Sequence, residues 1–431
     1  MDNITTIDGR YYNYTKILKN YFSEHALIKT RVFVECEYLM YLLRFIKDTD
    51  RDITKIKTIY EEWDIKNSES VKSIEKITNH DVKAVEYYIH QKLLTINMEE
   101  YKNYVHWGLT SQDVNHISNL MMLRSCMNDV VYPMLEDIIT SIVNIDLNKT
   151  PMLSHTHGQP ASPTTFWKEM MVYKERLEYQ LDKLKNYEWK TKFGGAVGRL
   201  QVHKHLLPDH DWDTFMNSFL LKYNIQRHKY TTQIDHYDYL AEFFDTLKRL
   251  NTILIDFSQD MWLYVSKGYL KQVTIGDEVG SSTMPHKINP INFENAEGNL
   301  GLSNCLLEHF SRKLPISRLQ RDLTDSTVSR NYGSALGYAV ISYRNLLKGI
   351  KRVTLDCERL ESDLNQNWSV LAEPIQYAMK LSDIQNSYEK LKQLTRNQKI
   401  SKNDIRDFIE NQDIVPELKT KLLSLTPNTY I

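Results

Sequence analysis

A chain of 431 residues is long enough to bury a large core and to form about two or three domains. Its formal net charge of −1 provides no overall field for nucleic acid, and no apolar run approaches the roughly 18 residues of a membrane span. Glycine and proline are scarce, at 14 and 11 residues, so the elements should be long and, with 25% charged residues, helical. The four cysteines lack CxxC spacing and the N-terminus lacks a signal-peptide pattern, which together predict a cytoplasmic protein.

Residues 1–99 form the first of three predicted domains, in which short helical patterns alternate with polar stretches. Phe33, Tyr38 and Leu42 belong to an apolar face of one helix. A second helix is predicted to begin near Thr78, because the spacing from this residue to Asp81 resembles a capping box.

Residues 100–350 form a predicted central domain of long helices. No glycine or proline occurs in the stretches 164–193 and 209–267. A helix of about 30 residues would span about 45 Å, so we predict a bundle that continues across subunits, with a coiled-coil spacer as the alternative. The second stretch carries an apolar stripe at steps of three and four, formed by Leu240, Phe243, Leu247, Leu250, Leu254, Phe257 and Met261.

The eleven residues 280–290 interrupt the helical patterns with the sequence GSSTMPHKINP. Gly280 permits unusual backbone conformations, and Pro285 and Pro290 prevent a continuous helix, so a mobile loop is predicted. Lys287 brings a charge and Asn289 a donor amide, both of which suit a carboxylate ligand. A Ser/Gly-rich surface loop without a function is the alternative.

Residues 351–431 are polar and charged with shorter patterns, which predicts a small helical C-terminal domain. Sustained alternation of apolar and polar residues is absent from the sequence, so strands should be minor and the fold class all-α. The sequence also contains no GxxxxGK or GxGxxG run, so neither an NTPase nor a dinucleotide-dependent enzyme is supported.

Two histidines lie close together in the run His155-Thr156-His157-Gly158-Gln159. They could ligate a metal, but no carboxylate or cysteine lies nearby at ligand spacing, so no metal is predicted there. A structural histidine is the usual alternative. Before a long helix and next to a glycine, which permits close approach of a ligand, His157 is also a good candidate for a general acid at neutral pH.

These motifs carry a family resemblance over nearly the whole chain. The 280–290 run resembles the signature loop of the fumarase/aspartase superfamily. The histidine run resembles a segment of the adenylosuccinate lyase family, bacterial type, and further strings match that family in order and spacing, namely Asp8–Tyr11, Asn79–Asp81, Thr110–Ser111, Thr231–Gln233, Phe293–Asn295 and Gln320–Ser326. The resemblance implies an all-α, three-domain homotetramer with active sites shared between subunits. Chains of the family usually continue past the position of Ile431, so the last family helix is expected to be absent.

The resemblance implies elimination of fumarate from adenylosuccinate, giving AMP, and from succinylaminoimidazole carboxamide ribotide in purine biosynthesis. Ser281 matches the catalytic base and His157 the general acid. Glu294 matches the carboxylate that orients this histidine, and Lys287 would offset charge in the transition state. A serine can act as a base only if nearby donors or cations lower its pKa. The reaction requires no cofactor and no metal.

The substrate-binding residues carried over from the family divide by the chemistry of the ligand. Cations would hold the phosphate and ribose, and hydroxyls and amides the succinyl carboxylates or the linking amine. Considered alone, an arginine is more often a surface residue, and a serine or threonine before a helix is more often a cap. Only the joint match to the family therefore supports these residues as ligand-binding. They are Arg10, Tyr11, Asn79, His80, Asp81, Thr110, Ser111, Gln233, Ser282, Lys287, Ile288, Asn289, Arg321, Ser326 and Arg330.

Two other functions are weighed against this interpretation. A sibling lyase acting on another succinyl amine, such as argininosuccinate, would not need arginines suited to a phosphate. A catalytically silent relative with a structural role would not need the matched set of Ser281, His157, Lys287 and Glu294. We expect small-molecule nucleotide substrates as partners, and neither nucleic acid nor membrane.

Overall fold

Helices build about two thirds of the chain in the computed structural model, which describes residues 3–47, 51–273, 283–284, 286–396 and 399–431. The predicted all-α class is confirmed. The helices are α1 (Tyr12–Thr15), α2 (Lys19–Phe22), α3 (Glu24–Ile46), α4 (Thr58–Glu61), α5 (Ile65–Thr78), α6 (Asp81–Thr95), α7 (Ser111–Cys126), α8 (Tyr132–Val143), α9 (Phe166–Lys185), α10 (Gln201–Leu206), α11 (Trp212–Leu221), α12 (Asp238–Ser266), α13 (Ile291–Lys313), α14 (Thr324–Ser329), α15 (Tyr332–Ile350), α16 (Cys357–Asn365), α17 (Ala372–Leu381), α18 (Ser387–Thr395), α19 (Lys402–Glu410) and α20 (Pro416–Ser424).

The strands are short, as the sequence predicts. They are β1 (Pro151–Thr156), β2 (Gln159–Thr165), β3 (Lys190–Thr191), β4 (Gln226–Arg227), β5 (Leu270–Gln272) and β6 (Val353–Leu355). The described residues pair them into three two-stranded sheets, with β1–β2 and β5–β6 antiparallel and β3–β4 parallel. Within the described residues, no helix is both long and apolar enough to cross a bilayer.

The chain divides into two compact units, each built from three separate stretches. Unit 1 comprises Met1–Leu135, Gln180–Leu254 and Gly298–Arg344, and unit 2 comprises Glu136–Tyr179, Ile255–Glu297 and Asn345–Ile431. One apolar core of unit 1 is formed by residues between positions 28 and 105, and one of unit 2 by residues between positions 368 and 422. The three consecutive domains 1–99, 100–350 and 351–431 stay a prediction.

The long helix predicted from the apolar stripe is α12, which has 29 residues. Every residue of the stripe is buried within the single chain, and a bundle that continues across subunits stays a prediction. Aromatic neighbours cover it: Phe243 packs against Tyr187 and Trp189 in unit 1, and Phe257 packs against Tyr173 in unit 2. The stripe therefore supplies intrachain core packing.

The start of α6 differs from the prediction. Thr78 is the last residue of α5, and Asn79 closes that helix in the left-handed conformation with φ 49°. His80 is the N-cap of α6, because its Nδ1 accepts a hydrogen bond from the Lys83 amide at 3.2 Å. The imidazole nitrogen of His80 thus has the capping role that the sequence pattern assigned to the hydroxyl of Thr78.

A buried ion pair in unit 1 should make stability depend on pH. His106 Nδ1 lies 2.5 Å from Glu35 Oε1, and the Glu35 side chain is fully buried. Burial alone would lower the pKa of His106, but Glu35 and Glu86 outweigh it and raise this pKa from 6.5 to about 9.

Because the folded pKa of His106 lies above its unfolded value, its stabilisation is complete below pH 6.5 and is lost as pH rises through about 9. We expect the free energy of unfolding to fall by about 3 kcal/mol across this window. Denaturant titrations from pH 6 to pH 10 would measure it. In a Glu35→Gln variant the pH dependence over this window should largely disappear, and an unchanged slope would contradict the assignment.

Candidate active site

A cavity of about 660 Å³ lies in unit 1, lined by residues of α3, α7, the α5–α6 junction and the segment 321–332. This volume is in the range of small-molecule sites, about 300–1,000 Å³. Seven of the substrate-binding residues predicted from the sequence line it, and they come from three distant parts of the chain: Asn79, His80, Asp81, Ser111, Arg321, Ser326 and Arg330.

A hydrogen-bond network fixes the wall that carries Arg321 and Ser326. Ser326 Oγ accepts hydrogen bonds from Arg321 Nη2 at 3.4 Å and from Gln112 Nε2 at 3.1 Å. Gln112 Nε2 also donates to Asp325 Oδ2 at 2.7 Å, and the Tyr237 hydroxyl donates to the same oxygen at 3.1 Å. Gln112 and Asp325 are buried, so this side of the cavity is held in place before any ligand arrives.

The opposite end of the network is an arginine–aspartate cluster. Arg31 Nε donates to Asn115 Oδ1 and Arg31 Nη2 to Asp81 Oδ2, both at 2.8 Å. Arg330 Nη2 lies 3.6 Å from the same Asp81 oxygen, and its side chain is 67% exposed. Burial disfavours the charged form of Asp81, but Arg31, the Val82 amide and Arg330 together lower the pKa of Asp81 below its usual value. Asp81 therefore remains ionised and orients both guanidinium groups.

His80 presents its ring at the N-terminus of α6. Its Nδ1 accepts the Lys83 amide, so in the neutral ring the proton is on Nε2, which can donate to a ligand. The side chain is 52% exposed and lines the cavity. Together with the amides of the first helical turn, it favours an anion at this position.

Thr110 and Ser111 are placed by a buried carboxylate that sequence reasoning missed. Asp113 Oδ2 accepts the Thr110 amide at 2.8 Å in a capping box. The same carboxylate accepts the amides of Gly194 and Gly195 and forms an ion pair with Lys192 at 2.6 Å, in which both side chains are 0% exposed. Thr110 is the N-cap of α7 and Ser111 its first residue, so this pair fixes where the predicted hydroxyls lie.

Four predicted residues of unit 1 do not line the cavity: Arg10, Tyr11, Thr110 and Gln233. The Gln233 amide donates to Gln320 O at 3.2 Å, which ties the 231–233 segment to the residue before Arg321. Arg10 is exposed near the N-terminus, where its guanidinium lies 5.9 Å from the ring centre of Tyr11.

His157, the candidate general acid, lies in unit 2 at the tip of the β1–β2 hairpin. Thr156 pairs with Gln159, and the two residues between them have φ 52° for His157 and φ 72° for Gly158. Positive φ at both positions is the type I′ turn of two-residue hairpins. The turn leaves the imidazole exposed.

The other residues predicted for the succinyl end also belong to unit 2. Glu294, in the first turn of α13, accepts a hydrogen bond from Trp262 Nε1 at 3.0 Å, and no hydrogen bond or ion pair with His157 is found among the described residues. Lys287 and Ile288 are exposed, with the Lys287 amide donating to Met284 O and Ile288 O accepting from Gln272 Nε2. Asn289 is partly buried just before α13. Ser281 and Ser282 lie outside the described residues.

The structure adds functional candidates that the motifs did not single out. Arg31 and Gln112 line the cavity and hold predicted ligand-binding residues, but each is one polar residue within a helix and gives no sequence signal. Asp325 lies within the Gln320–Ser326 string, whose predicted ligand-binding residues are Arg321 and Ser326. Asp113 could have been found, because Thr110 and Asp113 have capping-box spacing. Its partner Lys192 is distant in sequence and only folding reveals the pair.

Two family models match most of the chain. Residues 28–302 match the lyase family, and residues 317–431 match the family described as adenylosuccinate lyase C-terminal. Among solved structures, a 3-carboxy-cis,cis-muconate lactonizing enzyme from Pseudomonas putida superposes with a TM-score of 0.77 at 19% identity, covering 99% of this chain and 96% of that one. A fumarate lyase from Mesorhizobium sp. BNC1 superposes with a TM-score of 0.75 at 16% identity, covering 96% of this chain and 95% of that one. At these identities the two structures establish the shared fold.

Relatives of known name are much more similar in sequence. The adenylosuccinate lyase of Haemophilus influenzae is 43% identical, that of Escherichia coli K12 is 42% identical and that of Dictyostelium discoideum is 43% identical. Each alignment covers 99% of this chain and 96% of the relative. The chain therefore belongs to the adenylosuccinate lyase family and is a lyase.

Proposed function

We propose that this chain eliminates fumarate from adenylosuccinate to give AMP, and from succinylaminoimidazole carboxamide ribotide to give the carboxamide ribotide. The observation that carries the proposal is the convergence of seven family motif residues on one 660 Å³ cavity. Membership of the adenylosuccinate lyase family supports the same reaction. No cofactor takes part in the proposed chemistry.

The cavity provides the nucleotide end of the site. Arg321, Arg330 and the Ser326 hydroxyl would bind the phosphate, because guanidinium groups donate parallel hydrogen bonds to phosphate oxygens. The amides and ring of the α6 start add further donors. Two other cations line the cavity: Arg31 is paired with Asp81 at 2.8 Å, and Lys72 contacts Glu24 at 2.6 Å and Glu75 at 2.8 Å, so Arg321 and Arg330 are the better anion ligands. Arg10, Tyr11 and Gln233 would complete the ribose and linker contacts.

Residues of unit 2 can account for every proton and electron pair that moves in the elimination. Ser281, as an alkoxide, takes the proton from the carbon next to the distal carboxylate, and the C–H electrons form the aci-carboxylate. These electrons then form the C=C bond of fumarate while the C–N bond breaks and its electrons go to nitrogen. His157 protonates the departing nitrogen. Lys287, Asn289 and Ser282 hold the carboxylates, and Lys287 offsets the charge that develops before bond cleavage.

We further propose a homotetramer in which each site takes residues from several subunits. The family resemblance implies this assembly, and two observations support it. Glu294 contacts Trp262 within its own chain, which leaves His157 to be oriented in the assembled enzyme. Large apolar side chains are also exposed on the long helices, where another copy would bury them: Val172, Tyr179, Leu263, Ile291 and Leu302.

A cytoplasmic location is proposed from the cysteines. Cys36, Cys126, Cys305 and Cys357 are all free thiols, two buried and two exposed. Thiols that remain unpaired are typical of a reducing compartment.

Substrate turnover by wild-type and arginine variants tests the nucleotide assignment. We expect Arg321→Ala to lower kcat/KM for adenylosuccinate by about 10- to 100-fold, since a charge-assisted hydrogen bond contributes about 1.5–3 kcal/mol. The same change should have little effect on the succinyl nucleoside that lacks the 5′-phosphate. Arg318→Ala is the matched control, because Arg318 is 80% exposed and pairs with Asp322 instead of lining the cavity.

The outcomes separate the three candidate functions. An equal loss with both substrates would show that Arg321 does not bind the phosphate. Faster cleavage of argininosuccinate than of adenylosuccinate would identify a sibling lyase. An absence of turnover with every succinyl amine, in a folded protein, would favour a structural role.

A further inference from the structure

A cluster of two histidines and an aspartate lies at the start of α12, outside the residues assigned to the elimination. His228, Asp235 and His236 each offer one ligand atom, and these three atoms lie within 4.8 Å of one another. His228 Nε2 is 3.5 Å from Asp235 Oδ1, and the two imidazole centres are 4.1 Å apart. Donors of a tetrahedral zinc ion at about 2.0–2.1 Å are roughly 3.4 Å apart, so only a small closing movement would be needed.

The protein environment keeps the donors available and in place. His228 and Asp235 have side chains only 9% and 7% exposed. Asp235 is held by the backbone amides of Lys192 and Tyr237, at 2.8 and 2.9 Å, which fix the carboxylate without using all of its lone pairs.

The charges around the cluster are compatible with a cation. Asp238 Oδ2 lies 3.0 Å from His236 Nδ1, which places a second carboxylate beside the imidazoles, as is usual around ligating histidines. Two lysines are nearby. The Lys192 ammonium pairs with Asp113 at 2.6 Å. The Lys190 ammonium pairs with Glu188 at 2.9 Å and lies 4.4 Å from the ring centre of Tyr239, so the charge of each lysine is largely offset.

We propose that His228, Asp235 and His236 bind one divalent transition-metal ion with zinc-like preferences. Two imidazoles and one carboxylate suit zinc and its neighbours better than magnesium or calcium, which prefer oxygen ligands. The fourth position is open to water or to the exposed Asp238 carboxylate. The ion takes no part in the elimination.

Metal binding at this position would stabilise a segment that contributes to the site. Asp235 is tied to the backbone of Lys192, the partner of Asp113, and its own amide donates to His116 Nε2 at 3.2 Å. Residues 229–234, which include Gln233, connect His228 to Asp235. A bound ion would therefore clamp both ends of this segment.

The test is zinc binding by tag-free, metal-stripped protein. Calorimetry measures the affinity and stoichiometry, and thermal unfolding measures the change in Tm. We expect one zinc ion per chain in the wild type, with a rise in Tm. His228→Gln and His236→Gln should each weaken binding by at least about tenfold while leaving the metal-free Tm unchanged. His205→Gln, which removes an exposed histidine of the same unit, is the matched control and should bind like wild type.

Two experiments, cobalt(II) substitution and blocking of the thiols, show which side chains ligate the metal. The cobalt-loaded protein should show ligand-field bands without thiolate charge-transfer bands, and blocking the exposed Cys305 and Cys357 should leave binding unchanged. The proposal is overturned if both glutamine variants bind zinc as tightly as wild type, if blocking the thiols abolishes binding, or if the wild type takes up no zinc. None of these readouts depends on catalysis, so they are independent of the proposed reaction.

Discussion

Replacing Ser281 by alanine is expected to lower kcat by about 100- to 10,000-fold while substrate binding is retained. The hydroxyl serves the transition state, so its loss should affect turnover and not the ground-state complex. Single-turnover kinetics with equilibrium binding would separate the two effects. Ser282→Ala is the control and should mainly weaken binding. If Ser281→Ala keeps more than about a tenth of the wild-type kcat, the assignment of Ser281 as the base is wrong.

Mixing this variant with His157→Ala tests whether sites are shared between subunits. Each variant alone should be nearly inactive. After dissociation and random reassembly in equal amounts, about a quarter of the sites would hold both wild-type residues if these come from different subunits. Recovery of activity toward that level, together with a tetramer in sedimentation, is the expected result. A mixture as inactive as its components would contradict shared sites.

Replacing Lys192 by methionine should produce the largest loss of stability. Removing one partner of a fully buried ion pair typically costs about 3–5 kcal/mol, because the remaining charge is buried without compensation. Here the remaining charge is Asp113, at 0% exposure. We also expect reduced activity, since Asp113 positions Thr110 and the amides of Gly194 and Gly195. Thermal unfolding at fixed protein concentration measures the loss.

Two further variants make the Lys192 experiment specific. Lys102→Met breaks a pair of side chains that are 43% and 55% exposed, with Nζ and Oε1 3.0 Å apart, and should cost about 0.5 kcal/mol or less. Asp113→Asn combined with Lys192→Met removes both charges and should be less destabilised than Lys192→Met alone. If Lys192→Met unfolds at the same temperature as Lys102→Met, the buried pair does not stabilise the fold.

Local patterns predicted the helices well, because breakers and apolar spacing are local properties of the chain. The 29-residue α12 follows directly from such a pattern. What covers its stripe could not be predicted, since Tyr187 and Tyr173 reach it from another part of the chain. The predicted N-cap of α6 was wrong, because the known residue preferences at this position favour a hydroxyl over the imidazole of His80.

The residues of the candidate site fall into the same two groups, those that a local pattern predicts and those that depend on distant contacts. The string around Arg321 and Ser326 could be found because its residues are adjacent in sequence. The residues that hold that string, Gln112 and Tyr237, are single polar positions that acquire a role only when folding brings distant helices together. No sequence pattern relates Asp113 to Lys192 for the same reason.

The hairpin that carries His157 has a consequence for the order of folding. A two-residue turn between paired strands depends on local contacts, and β-hairpins form in about 1–10 μs. The cavity instead needs contacts between residues as far apart as Phe22 and Tyr332, and such non-local contacts form slowly. During synthesis or refolding, the hairpin should therefore acquire its shape early, whereas the capacity to bind a nucleotide should appear among the last events.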